Sequence, residues 1–143
     1  MLFAAGSASA EAASLTVREE AIVERINDVR DAYGLRPLAV NPKLTRAARA
    51  HSSMMLEHDV FTHGAFAERL RSFGVRLPLL SENIAWGNGR YGTPRGIVTA
   101  WLNSPPHRAN LLHPLFKVIG IGSRVGTFAG YRGAAVVTAD FGG

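Results

Sequence analysis

Apolar residues recur at helical spacing in four stretches of the chain, and its last third alternates apolar with small or polar positions. Val17, Ile22, Ile26, Val29 and Tyr33 fall on one helical face, and Gly34 follows them as a helix-ending glycine, which predicts a first helix. Asn41 and Pro42 supply the N-cap and first position of a second helix, whose stripe is Leu44, Ala47, Ala48, His51, Met54, Met55 and His58. Phe66, Leu70 and Phe73 mark a short third helix closed by Gly74. Thr93 and Pro94 cap a fourth, with Ile97, Val98 and Trp101 together on one face. In "AWLNSPPHRANLL" (100–112) two prolines follow this helix, so helical structure is expected to stop just before His107.

The remaining segments read as extended. "SENIAWG" (81–87) is a candidate strand running into a glycine-rich loop at 87–92. "KVIGIGSRV" and "AAVVTADFG" flank a glycine-containing connection and read as an antiparallel pair. Gly120 and Gly122 sit two apart and leave one strand face bare, which signals the close approach of another backbone or a ligand. Helices first and strands late predict an α+β domain, with helices packed over an antiparallel sheet.

A length of 143 residues suits one domain. An apolar share of 47% with 19% charged residues is that of an ordinary folded protein. No apolar run approaches the roughly 20 residues that a membrane-spanning helix needs. Cysteine is absent, which excludes disulfides and thiolate chemistry. The net charge is +5, but the basic residues are scattered singly, so no nucleic-acid surface is expected; weak attraction to anionic wall polymers or lipid surfaces would be unspecific. The opening "MLFAAGSASAEAAS" (1–14) reads as the remnant of a secretory leader, with a small-x-small site at 8–10, or else as a plain Ala/Ser tail; residues 15–143 form the domain.

Five histidines carry most of the candidate chemistry. His51 lies on an apolar stripe and reads as a hydrogen-bonded core residue. His58 sits in a last helical turn, where a cationic ring meets the helix dipole favourably, and His113 precedes a proline in a loop. His63 and His107 belong to no periodic face. Glu82 enters an apolar stretch that would bury it, and a buried carboxylate needs a partner such as imidazole. Ser104 stands three residues before His107. Three uses fit this set. It can be a structural hydrogen-bond cluster. His63 and His107, supported by Glu82, can hold zinc or a similar divalent cation with an open position for water. Ser104, His107 and Glu82 can form a hydrolase triad, although the nucleophile-elbow pattern is absent.

"FTH", "ENIAWG", "AWLNSPPHRANLL" and "FKVIGIG", preceded by Asn27-x-x-Arg30 and Gly34-Leu35-x-Pro37-Leu38, occur in the order seen in bacterial members of the CAP superfamily. That family, also called the SCP domain, includes cysteine-rich secretory and plant pathogenesis-related proteins, and the resemblance covers Val17 to Gly142. It implies a three-layer α-β-α sandwich and a cleft lined by histidines and acids. His63 matches the first histidine, Glu82 the glutamate of the "EN" motif, and His107 the second histidine. The second acid falls near Ser104, and Pro106 stands where glycine is usual. The resemblance further implies an extracytoplasmic protein that binds a cation or a small, even lipid-like, ligand without turnover. Alternatives are a metal-assisted or serine-type hydrolase acting on peptides or cell-wall material, and an interaction module in which the cluster staples the fold.

Overall fold

A computed structural model describes residues 14–143; apart from Ser14, the expected leader lies outside the described residues. Helix α1 spans Val17–Ala32. Thr16 starts it with a capping box: its hydroxyl accepts from the Glu19 amide at 3.2 Å, and the Glu19 carboxylate accepts from the Thr16 amide at 2.9 Å. A two-residue strand, β1 (Ala39–Val40), leads into α2 (Pro42–His58), where Asn41 caps the amides of Lys43 and Leu44 as the sequence predicts. Then come α3 (Phe66–Ser72), β2 (Leu80–Gly87), a 3-10 turn at Gly89–Gly92, and α4 (Pro94–Leu102). The chain ends with α5 (Pro105–Leu111), β3 (Val118–Phe128) and β4 (Tyr131–Gly142).

The four strands form one sheet in the order β1-β3-β4-β2, antiparallel except for the short parallel pair of β1 with β3. One face packs on α1, α4 and α5 through Ile22, Ile26, Ile97, Trp101, Leu111 and the strand residues Ile121, Val137 and Phe141. The other face carries Ile84, Val136 and Val118 against Met55 and Leu44 of α2 and Leu70 of α3. The architecture is therefore the expected α-β-α sandwich. Gly120 and Gly122 explain how α2 comes so close. A Cβ at Gly120 would stand 2.1 Å from the Leu44 carbonyl carbon, and one at Gly122 2.3 Å from that of Ala48. The bare strand face is the seat of a helix backbone.

One local expectation is corrected. The two prolines do not end helical structure before His107. Helix α4 has already stopped at Leu102, and Pro105 and Pro106 open a new helix at its first two positions, where a missing N–H costs nothing. His107 lies in the first turn of α5, and Ser104 is the N-cap of that helix.

Candidate functional site

The arrangement around His107 follows from those prolines. An N-cap hydroxyl ordinarily accepts from the amides two and three positions on. Here Pro106 has no amide hydrogen, and the Ser104 hydroxyl makes no capping bond. It lies instead 2.8 Å from His107 Nδ1. Two amides tie α5 to the sheet: Asn83 Nδ2 donates to the His107 carbonyl at 3.0 Å, and Asn110 Nδ2 to Asn83 Oδ1 at 2.8 Å. Alternation along β2 sends Glu82 to one face and Asn83 to the other, so adjacent residues serve the two sides of the site.

Glu82 is 5% exposed and collects cationic and donor groups. His63 Nδ1 donates to Oε1 at 2.9 Å, and the Arg69 guanidinium pairs with Oε2. Arg69 also donates to the His63 carbonyl at 3.1 Å, so α3 holds the histidine loop as well as the acid. His51 is buried as expected, its Nε2 donating to the Thr62 carbonyl at 2.7 Å, yet it also stands 3.9 Å from Glu82 Oε1. Burial pushes the His51 ring below the usual imidazole range, and the nearby Arg69 charge adds to this.

Asp140 lies directly across the strand pair from Glu82 and is fully buried. Neither of its oxygens has an N–H or O–H donor among the described residues. Burial, and then the Glu82 carboxylate beside it, push its carboxyl well above the ordinary range, a direction that favours the protonated form beside Glu82. Burial also lowers His107, and the positive form of His63 opposes a second charge there.

The structure joins the predicted residues in two pairs, Glu82 with His63 and Ser104 with His107. Glu82 makes no hydrogen bond to His107, so the triad of Ser104, His107 and Glu82 is not assembled. Both Glu82 oxygens are engaged, and among the described residues no group of three or more His, Cys, Asp or Glu side chains is disposed to hold a metal. What remains open is Nε2 of His63 and Nε2 of His107, neither with a hydrogen-bond partner among the described residues. Sequence reasoning missed Arg69 and Asp140. An acid within the apolar run "AVVTADF" was the available signal for Asp140; Arg69, one of two arginines on α3, offered none. His113, placed by the sequence before a proline in a loop, stacks on Phe116 with ring centroids 4.4 Å apart and accepts from the Leu115 amide.

Residues 23–141 match the family model described as CAP, the cysteine-rich secretory protein family. The Bacillus subtilis protein YkwD is 38% identical over 114 residues, which are 76% of this chain and 43% of that protein. A Bacillus subtilis membrane protein, YlbC, is 31% identical over 112 residues, 75% of this chain and 32% of the relative. This chain therefore spans less than half the length of either relative. Among solved structures, an extracellular protein containing an SCP domain from Bacillus anthracis superposes with a TM-score of 0.73 at 26% identity, covering 90% of this chain and 44% of that one. An outer surface protein of Borrelia burgdorferi gives 0.71 at 22% identity, covering 86% and 90%, and shows the shared fold.

Proposed function

Because the chain belongs to the cysteine-rich secretory protein (CAP) family, we propose that it is an extracytoplasmic binding domain in which His63 and His107 hold a divalent cation without turnover. The observation that carries this reading is the parallel commitment of the two rings. Each Nδ1 faces a fixed oxygen, Glu82 for His63 and Ser104 for His107, while each Nε2 is free of protein partners among the described residues. A carboxylate or hydroxyl behind an imidazole fixes its tautomer and raises its basicity toward a metal. Two neutral imidazoles suit zinc or another borderline cation; calcium and magnesium prefer oxygen donors.

Glu82 acts in this reading as a support rather than as a ligand, since Arg69 and His63 occupy its oxygens. Two protein ligands leave most of the coordination sphere to water or to a bound molecule. A cation there would supply a Lewis-acidic point able to anchor an anionic or carbonyl-bearing ligand. The site outside the cytoplasm is supported by the relatives, one described as extracellular and another as an outer surface protein. Among the described residues no helix is long and apolar enough to cross a membrane. Calorimetric titration with zinc tests the reading: saturable binding is expected for the wild type and none for the His63→Ala/His107→Ala double variant. Absence of wild-type binding at micromolar zinc would overturn it.

A further inference from the structure

We propose that a second site, independent of the histidines, binds an anionic sugar chain in the aromatic groove between Trp86, Tyr91 and Tyr131. The groove has a volume of about 530 Å³, and Gly87, Asn88, Gly96 and Ala100 complete its lining. It lies toward the far end of β2 from Glu82. Tyr91 and Tyr131 are 62% and 53% exposed and line one groove with Trp86, so the rings form a contiguous patch rather than scattered single side chains. Trp86 and Tyr131 stand 5.7 Å apart at a 39° tilt and make one wall. Tyr91 makes the other.

The walls are held rigidly. A Cβ at Gly87 would stand 2.3 Å from the Tyr91 carbonyl oxygen, and one at Gly96 2.2 Å from that of Arg90, so the turn bearing Tyr91 is pressed between β2 and α4. Thr93 Oγ1 donates to the Arg90 carbonyl at 2.8 Å, Arg18 reaches the Gly92 carbonyl, and Asn88 Nδ2 donates to the Arg132 carbonyl at 2.7 Å. An exposed ring on a fixed turn can stack against a ligand with little loss of freedom on binding.

Charge identifies the occupant. From residue 83 to 139 the sequence contains no aspartate or glutamate, while Arg90 and Arg95 line the continuation of the groove along α4 and Arg132 follows Tyr131 in the chain. None of these three arginines is in an ion pair among the described residues. Arg90 lies 4.9 Å from the Tyr91 ring centroid and donates to its hydroxyl at 2.8 Å, so a cation is placed beside a stacking face. Arg95 also shares a depression with Arg25 and Asp28 of α1. Flat rings, an amide and unpaired guanidiniums together match a ligand with apolar C–H faces, hydroxyls and carboxylates, which is the chemistry of an acidic saccharide.

Hexagalacturonate, maltohexaose and phosphatidylglycerol vesicles serve as probes of the full chain. Trp101 is buried, with its indole N–H donating to the Ile84 carbonyl, so a fluorescence change on binding reports Trp86. Hexagalacturonate is expected to bind saturably, and maltohexaose at least tenfold more weakly. Tyr91→Ala and Arg90→Gln should each weaken the acidic saccharide by roughly tenfold, equivalent to about 1.4 kcal/mol. Both side chains are exposed, so unchanged melting curves will show that the fold is intact. Equal affinity in wild type and Tyr91→Ala, equal affinity for the neutral saccharide, no saccharide binding at all, or binding of vesicles alone would each overturn the proposal.

Discussion

Glu82 and Asp140 face each other across neighbouring antiparallel strands, both buried, with Gly120 beside Asp140 on the next strand. The glycine leaves room for α2, and the acids share the resulting dry space with Arg69 and His51. Two carboxylates in such a place cannot both be charged cheaply. A proton held on Asp140, the direction in which burial and Glu82 push it, removes the conflict.

That proton has a cost in stability at neutral pH. The Asp140 carboxyl is raised above its unfolded value of about 3.9, so between that pH and its folded value the native state holds more protons than the unfolded chain. Stability from this group falls as pH rises through that window. Asp140→Asn keeps a donor for Glu82 and cannot titrate. Its melting temperature at pH 7 should exceed that of the wild type, and the advantage should shrink toward pH 4. A variant less stable at pH 7 would show that Asp140 is ionised in the fold.

Buried His51 and half-buried His107 work in the opposite direction. His51 and His107 are both lowered, so below the ordinary imidazole value of about 6.5 the unfolded chain takes up more protons than the native one. Stability is lost as pH falls from there toward the folded values. His51→Gln retains a donor for the Thr62 carbonyl without a titrating ring, and should lose less melting temperature than the wild type between pH 7 and pH 5. An identical loss would assign the acid sensitivity elsewhere.

Gly120→Ala should be costly because its methyl meets helix backbone, not a movable side chain. Chemical denaturation should show a loss of about 3 kcal/mol, at the upper end for overpacking. Zinc affinity should fall as well, since α2 carries His51 and leads into the His63 loop. A loss below 0.5 kcal/mol, on the order of a surface substitution, would mean that the helix–strand contact is looser than described.

Much of this packing was legible in the sequence, for specific reasons. Apolar periodicity, caps and the paired glycines are local signals, and they located α1 to α4, the long hairpin and the bare strand face. The double proline was misread because proline that forbids continuation of one helix equally favours the start of the next. His63, Glu82 and Ser104 stood out as polar groups in constrained settings. That an imidazole would partner Glu82 was expected; that His63 takes it while His107 turns to Ser104 was not, because this depends on which face of β2 each residue takes and on the register that sets Glu82 against Asp140. Arg69 is a single arginine among many, and only tertiary packing makes it the partner of Glu82.

Arg30 is a buried cation without a carboxylate partner among the described residues. It donates to the carbonyls of Arg36, Leu111 and His113 at 2.8 to 3.0 Å and approaches that of Phe116 at 3.4 Å, fastening α1 to the chain that leaves α5. Lysine keeps the charge but lacks the planar fork. Arg30→Lys should cost about 3 kcal/mol in urea unfolding, from lost charge-assisted bonds and unpaired carbonyls. A change within 0.5 kcal/mol, roughly that of a surface substitution, would show that the fork contributes little.

The most direct test of the cation reading is nitrogen-detected NMR of the imidazoles during a zinc titration. The expected result is a protonated Nδ1 on both His63 and His107 in the zinc-bound protein, with Nε2 of those two rings shifting to metal-bound values and His58 and His113 unchanged. Zinc shifts confined to His58 or His113, or zinc on Nδ1 with Glu82 and Ser104 displaced, would contradict it.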